Sequence, residues 1–324
     1  MKYYTCANTS QGYCDFTNEN VFDLQRVVEI KCSNPYITNW VTESICKTTS
    51  EAYDTIIYPG SFELKSGIVF SNRKKAFVSN YPGADESINL DKYFELMPAY
   101  NHTENKKKDM YAAYAKAKLV HDEWERIYIS NMDFLQLDKF CENTINALVT
   151  AKSETGNGKV YKRFFGTTTP EGAGNFIDDI TQTLNKRYFI KGRPGTGKST
   201  FLKKLSKALT ENGYNIEQYY CSFDARSLDM VVCRELSFGV FDSTSPHEKF
   251  PERQNDEILD FYIESGLEGT DEKFRKELAE IKKAYDTFIK SGKKAFKEAM
   301  SIENNEYIKQ FEKVKNTADI KLLF

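Results

Sequence analysis

The sequence predicts an α/β protein built from two tandem units, each a mainly parallel sheet flanked by helices, with long appended helices. Three observations lead to this prediction: a glycine-rich stretch separates an apolar run from an amphipathic segment, the first half of the chain is repeated in the second, and each half ends in helical periodicity. The predicted units are residues 1–150 and 160–324. A polar, glycine-bearing linker at 151–159 separates them.

Composition is that of an ordinary globular chain. The 324 residues are 40% hydrophobic and 28% charged, with a formal net charge of -2 that argues against a nucleic-acid footprint. No run of about 18 apolar residues predicts a membrane span, and the N-terminus lacks an apolar signal core. The seven cysteines include no C-x-x-C pair. We therefore expect a cytoplasmic protein with reduced thiols and no membrane contact.

The glycine-rich stretch at 192–199 reads GRPGTGKS and matches G-x-x-x-x-G-K-[ST]. An apolar run at 188–190 predicts a buried strand before it, and apolar residues at helical spacing follow it. Glycines allow backbone N–H groups to converge, and the start of the helix adds a positive dipole, so this setting predicts a phosphate-binding loop. The expected phosphate-binding residues are Gly192, Arg193, Pro194, Gly195, Thr196, Gly197, Lys198, Ser199 and Thr200.

The residue types in this stretch predict binding of ATP with Mg²⁺. Lys198 would reach the β- and γ-phosphates as a catalytic cation, and the Ser199 hydroxyl would ligate Mg²⁺. A later apolar run ends in Asp242, which we expect to be the second metal ligand and part of the catalytic set. If the metal carboxylate lies elsewhere, the next candidates are Asp224 and Asp229. No N-K-x-D run follows the loop, which disfavours guanine and leaves ATP.

The residue that would activate water is not obvious, because no glutamate directly follows Asp242. His247 and Glu248 are catalytic candidates by position, as is Asp224, and each could equally be a turn or capping residue. An ATPase that drives a conformational change is the first interpretation. A nucleotide or small-molecule kinase and a non-hydrolysing ATP-dependent interaction module are the alternatives. The partner beyond ATP is accordingly either a second small-molecule substrate or another protein.

The two halves of the chain resemble each other at an offset of 160 residues. Identical residues then coincide without a gap at Lys2, Thr9, Gly12, Phe16, Leu24, Ile30 and Lys31. This regularity predicts a tandem duplication. The same offset matches the three glycines, the lysine and the serine of the glycine-rich stretch with residues of other types in the first unit. These residues are Cys32, Pro35, Ile37, Thr38 and Asn39. The corresponding apolar run has Phe70 in place of Asp242, so the first unit is expected to be degenerate and the chain to bind one ATP.

Alternating spacings of four and three predict helix-on-helix packing at the end of each unit. The first stripe consists of Met110, Tyr114, Ala117, His121, Trp124 and Tyr128. The second consists of Phe274, Leu278, Ile281, Tyr285 and Phe288. We interpret His121 as a histidine of the packed seam rather than a ligand.

Together with the loop, several stretches resemble a bacterial family of tandem P-loop NTPase (ATPase-like) proteins. They are residues 186–191, 221–224, 227–231, 241–248, 250–253 and 121–129. The resemblance covers nearly the whole chain and implies ATP binding and hydrolysis, without implying a biological role. In that family both units commonly carry a P-loop, so the first unit here, with residues 32–39 in place of one, departs from the pattern.

Overall fold

The first half of the chain forms a six-stranded sheet with a small hairpin beside it. The computed structural model describes residues 1–97, 103–154, 156–170 and 172–317. The strands are β1 (Lys2–Tyr3), β2 (Cys6–Thr9), β3 (Gly12–Asp15), β4 (Arg26–Lys31), β5 (Tyr53–Ile57), β6 (Lys65–Phe70), β7 (Lys75–Ser79) and β8 (Glu86–Asn89). The helices are α1 (Asn18–Val21), α2 (Pro35–Thr48), α3 (Leu90–Tyr93), α4 (Glu104–Ile129) and α5 (Phe134–Leu148).

The second half repeats this plan. Its strands are β9 (Val160–Phe164), β10 (Gly166–Thr169), β11 (Gly172–Asn175), β12 (Lys186–Lys191), β13 (Ile216–Tyr220), β14 (Leu228–Cys233), β15 (Phe238–Asp242) and β16 (Asp256–Asp260). Its helices are α6 (Ile177–Thr181), α7 (Lys198–Glu211), α8 (Phe261–Glu264), α9 (Thr270–Lys273) and α10 (Arg275–Thr317).

The two large sheets have the same topology. The first has the strand order β1-β5-β6-β7-β4-β8 and the second β9-β13-β14-β15-β12-β16. In each sheet one strand, β6 or β14, runs antiparallel to both neighbours, and the remaining pairs are parallel. The structure is therefore α/β with two mixed sheets flanked by helices, an arrangement compatible with two tandem units.

Strand positions show that the offset of 160 is wrong beyond β4. Strand β4 begins at 26 and β12 at 186, which are 160 apart, whereas β5 begins at 53 and β13 at 216, which are 163 apart. The difference arises in one loop, since 32–34 connects β4 to α2 and 192–197 connects β12 to α7. In register, Pro35 therefore corresponds to Lys198 and Tyr36 to Ser199, in place of Thr38 and Asn39.

The expected equivalence of Phe70 and Asp242 is also wrong. Phe70 ends β6, whereas the strand equivalent to β15 is β7. Ile30 pairs with Ser79 in the first sheet as Ile190 pairs with Asp242 in the second, so Ser79 occupies the equivalent position. With both corrections, the first unit still has no lysine at the position of Lys198 and no carboxylate at the position of Asp242.

The long helices cross between the two halves. Leu137 and Cys141 of α5 are buried in a core cluster with α7 and the second sheet. Conversely, Val314 near the end of α10 is buried in the cluster that covers α2 and the first sheet. Between these crossings α4 packs along α10, and the predicted stripe is buried at Met110, Tyr114, Ala117 and Tyr128.

A third core cluster lies between the two sheets and joins the units. It combines first-unit side chains such as Tyr3 and Val69 with Phe189, Met230 and Phe241 of the second unit. A short antiparallel bridge between Tyr4 and Phe164 adds main-chain hydrogen bonds to this seam. Among the described helices, none combines the length and apolar character needed to cross a membrane.

Candidate functional site

The glycine-rich loop folds around one carbonyl oxygen. Gly195 and Gly197 have φ of +80° and +82°, in the left-handed region that favours glycine. The backbone N–H and hydroxyl of Thr196 both donate to the Arg193 carbonyl, at 3.3 Å and 2.8 Å. Lys198 Nζ donates to the same oxygen at 2.8 Å. The side chain of Lys198 therefore folds back towards the loop that precedes it, and its amino group lies at the Arg193 carbonyl.

A side chain adjacent to Gly192 explains why this position is a glycine. A Cβ built there would lie 2.6 Å from Thr196 Oγ1 and 3.3 Å from Phe261 Cβ. Any larger residue would push Thr196 away from the Arg193 carbonyl and open the loop. The first glycine of the motif is thus required by close packing within the loop.

The N-terminus of α7 differs from that of its counterpart α2. Asn34 caps α2, accepting hydrogen bonds from the backbone N–H groups of Tyr36 and Ile37 at 3.0 Å and 3.3 Å. At α7 the capping position is Gly197, and among the described residues no side chain caps the helix. The first N–H groups of a helix have no partner within the helix. Those of α7 have no side-chain cap among the described residues, whereas two of those of α2 are satisfied by Asn34.

Two carboxylates lie beneath Lys198, at the ends of adjacent strands. Asp242 Oδ2 is 3.6 Å from Lys198 Nζ, and Asp242 Oδ1 accepts hydrogen bonds from the Thr244 N–H and hydroxyl. Asp229, in β14, lies one residue beyond the Met230–Phe241 pair, beside Asp242. Its burial, together with the charge of Asp242, raises the pKa of Asp229 above its ordinary value, and Lys198 only partly offsets this.

This arrangement fits a divalent cation. The Ser199 hydroxyl accepts a hydrogen bond from the Leu228 N–H at 2.9 Å, which holds it at the start of β14 near Asp229. A hydroxyl and two carboxylates are oxygen donors of the kind that Mg²⁺ prefers. Burial of Asp229, and after it the charge of Asp242, disfavours the ionised form of Asp229, and a bound cation would favour that form. Asp229, only a fallback candidate in the sequence, therefore joins Ser199 and Asp242 in the candidate metal site.

The remaining loop residues lie at the rim. Arg193 is exposed, and its Nε and Nη2 donate to Asp271 Oδ2 at 3.0 Å and 2.7 Å. Pro194 is half-buried, and Thr200 is exposed on the first turn of α7. Asp271 also accepts a hydrogen bond at 2.8 Å from the hydroxyl of Tyr128, a residue of α4. The rim of the loop is thus connected to a helix of the first unit.

His247 and Glu248 have partners other than Lys198. Glu248 is exposed and pairs at 3.4 Å with Lys191, whose amino group also binds the Ser243 and Lys249 carbonyls. The ring of His247 packs edge-on against Phe165 at 5.0 Å, and burial lowers the pKa of His247. The hydrogen bonds of Lys191 therefore hold the segment that carries both side chains.

Helix α4 lies against the loop from the other unit. A Cβ at Gly195 would be 2.8 Å from the carbonyl oxygen of Glu125. Lys118 pairs at 3.2 Å with Asp224, which follows β13. Burial, followed by the charge of Lys118, lowers the pKa of His121 to about 4, so this side chain is neutral. No local pattern in the sequence predicts this contact, because α4 and the loop are far apart along the chain.

Comparison with known proteins adds no relative to this description. No protein-family model, no curated protein and no solved structure matches the chain.

Proposed function

We propose that the second unit binds one Mg-ATP at residues 192–200 and that hydrolysis of this ATP drives a change in the packing of the two units. The observation that carries the proposal is the difference between two equivalent helix starts. Asn34 fills the N-terminus of α2, whereas α7 begins after a glycine loop with no side-chain cap among the described residues and with Lys198 beside it. An uncapped helix start beside a lysine is suited to phosphate oxygens.

In the proposed complex, different groups at the site would bind the phosphates and the Mg²⁺ of ATP. Backbone N–H groups of the loop and of the first turn of α7 would receive the phosphate oxygens. When ATP binds, the Lys198 amino group would leave the Arg193 carbonyl and Asp242 and would bind the β- and γ-phosphates. Ser199, Asp242 and Asp229 would hold Mg²⁺, which neutralises charge on the phosphates when bound. Because Lys198 already lies at the loop, this exchange needs only a side-chain movement.

A chain of contacts favours the ATPase interpretation over the kinase. Arg193 in the loop pairs with Asp271, and Asp271 accepts the hydrogen bond of Tyr128 in α4. Glu125 of the same helix touches the loop at Gly195. A loop that rearranges around phosphates would therefore disturb contacts with the first unit directly. Such coupling is what an ATPase that performs conformational work requires.

The test is ATP binding and turnover by the purified full-length chain. Isothermal titration calorimetry with and without Mg²⁺ measures affinity, and release of inorganic phosphate measures hydrolysis. A panel of nucleosides, nucleotides and small hydroxyl acceptors, followed by product identification, separates hydrolysis from phosphoryl transfer. Absence of ATP binding at millimolar concentration would refute the proposal. A phosphorylated acceptor formed in place of free phosphate would establish the kinase instead.

A further inference from the structure

One face of α4 lies along the ends of the second sheet's strands, beside the loop. Residues 118, 121, 125 and 128 are three or four apart and so share a face of the helix. Lys118 pairs with Asp224 after β13, Glu125 contacts Gly195 after β12, and Tyr128 binds Asp271. Ligands of open α/β sheets bind at the carboxyl ends of the strands. This face of α4 therefore lies against the segments that follow β12 and β13, beside the loop.

Glu125 is the acidic residue of this face whose backbone and Cβ lie against the loop. A Cβ at Gly195 would be 3.0 Å from Glu125 Cα and 3.1 Å from its Cβ, so this part of Glu125 touches the loop tip. Its Oε1 lies 3.4 Å from His121 Nδ1, and the side chain is 33% exposed. Burial raises the pKa of Glu125, and the charges of Lys118 and, to a smaller extent, Lys198 act in the opposite direction. The carboxylate therefore lies within electrostatic reach of Lys198.

The other acidic candidates have different roles. Asp242 and Asp229 lie beneath Lys198 in the candidate metal site. Asp224 is paired with Lys118, and Glu248 is exposed and paired with Lys191. Asp224 and Glu248 are thus paired with lysines, and Asp242 and Asp229 belong to the candidate metal site. Glu125 has no lysine or arginine partner among the ion pairs of the described residues, and a neutral histidine lies next to it.

We infer that Glu125, supplied by the first unit, is the general base for ATP hydrolysis at the loop of the second unit. In this step Glu125 accepts a proton from a water molecule while the water oxygen forms a bond to the γ-phosphorus. The bond between the γ-phosphorus and the β,γ-bridging oxygen breaks, and ADP takes the electron pair. The products are ADP and inorganic phosphate, and Glu125 returns its proton to solvent. This inference rests on the proposed function, since it requires ATP in the loop.

The test is the Glu125→Gln variant of the full-length chain, which keeps the shape of the side chain and removes the basic carboxylate. We expect phosphate release to fall about 100-fold or more, with ATP affinity by calorimetry changed less than threefold. Glu123→Gln is the matched control, because Glu123 is two residues away on the same helix and exposed. We expect the control to retain wild-type turnover. Thermal unfolding of all three proteins verifies that the fold is intact.

The outcomes separate this inference from the proposed function. Wild-type turnover in Glu125→Gln with intact ATP binding would overturn the role of Glu125 and leave the ATPase in place. Loss of ATP affinity in the variant with turnover per bound ATP unchanged would make Glu125 a binding residue, which also overturns the inference. A wild-type chain that binds no ATP would overturn both. If Glu125→Gln does not fold, Glu125→Asp replaces it, and wild-type turnover in that shorter acid would count against a positioned base.

Discussion

Lys198 Nζ lies 3.6 Å from Asp242 Oδ2, and this pair connects the first residue of α7 to the last residue of β15. The lysine is nearly buried, with 10% of its side chain exposed. It offsets part of the repulsion between Asp242 and its neighbour Asp229. A bound phosphate would compete for the lysine, and a bound cation would take over the neutralisation of the two acids. The pair therefore connects the proposed phosphate-binding part of the candidate site to its proposed metal-binding part.

Replacement of Lys198 by Ala is expected to weaken ATP binding tenfold or more. Loss of a charge-assisted hydrogen bond to phosphate is worth about 1.5–3 kcal/mol. Titration calorimetry measures the change. Lys207→Ala is the control, because Lys207 lies on the same helix with 74% of its side chain exposed and pairs only with Glu211 among the described residues. Equal affinities of the Lys198 variant and the wild type would contradict the assignment of the loop.

Replacement of Asp242 by Asn is expected to spare ATP binding in EDTA and to weaken the Mg²⁺-dependent part. The neutral amide loses the charge that anchors the cation. Asp229→Asn should have the same effect, because Asp229 lies beside Asp242 on the adjacent strand. Calorimetric titrations at several Mg²⁺ concentrations measure this dependence. Intact Mg²⁺ dependence in both variants would move the metal carboxylate to Asp224.

One chain is expected to bind one ATP. In the first unit, the Asp91 carboxylate accepts hydrogen bonds from the Ser33 N–H at 2.7 Å and from its hydroxyl at 2.9 Å. An anion of the protein thus already occupies the loop, Asn34 caps the helix, and Pro35 stands where α7 has Lys198. A titration should saturate at one equivalent, and Lys198→Ala should leave no tight site. Two equivalents per chain would show that the first loop binds nucleotide.

Stability is expected to fall at acid pH through Glu217. This carboxylate is buried, which by itself raises its pKa, but Arg163 and Arg234 outweigh burial and lower the pKa to about 2. A lowered folded-state pKa contributes stability above the ordinary value of 4.5, and this contribution is lost as pH falls from there towards about 2. We expect the free energy of unfolding by urea to decrease across this window.

Glu217→Gln tests the origin of that acid sensitivity. The substitution leaves Arg163, which has 3% of its side chain exposed, without its carboxylate partner in the ion pair, and should cost about 3–5 kcal/mol at pH 7. The stability gap between variant and wild type should then narrow as pH falls towards 2, because the wild type loses its ion pair there. A gap that stays constant with pH would mean that Glu217 does not carry the effect.

Local patterns were sufficient to predict several elements. The apolar run at 188–190 is β12, the helical spacing after the loop is α7, and the apolar run that ends in Asp242 is β15. The stripe from Met110 to Tyr128 faces the packed side of α4, as its period predicts, with His121 and Trp124 half-buried and its other four members buried. These features depend on side-chain periodicity and on glycine conformation, which act over a few residues. The chemistry assigned to the loop stays a prediction.

Gaps and long-range pairings could not be predicted in the same way. An ungapped offset cannot register the three residues that the first loop lacks, so it matches Thr38 with Lys198. The match of Phe70 with Asp242 is wrong for a different reason, because the apolar run ending at Phe70 is β6 and the strand equivalent to β15 is β7. The intervening antiparallel strands β6 and β14 decide that Ser79 is the counterpart of Asp242. Strand order depends on hydrogen bonds between segments distant in the chain, and apolar runs alone do not specify it.

The sequence by itself determined the α/β class, the loop of residues 192–199 and the loss of its lysine and glycines from the first unit. Each follows from residue identity and short-range spacing. Only the tertiary structure decided that Asp229 lies beside Asp242, that Asp91 binds Ser33 in the first loop, and that Glu125 of the first unit lies against Gly195 of the second. The physical reason is that these contacts arise from sheet pairing and from the packing of α4 and α10, which bring together residues that are separated along the chain and leave no local trace in the sequence.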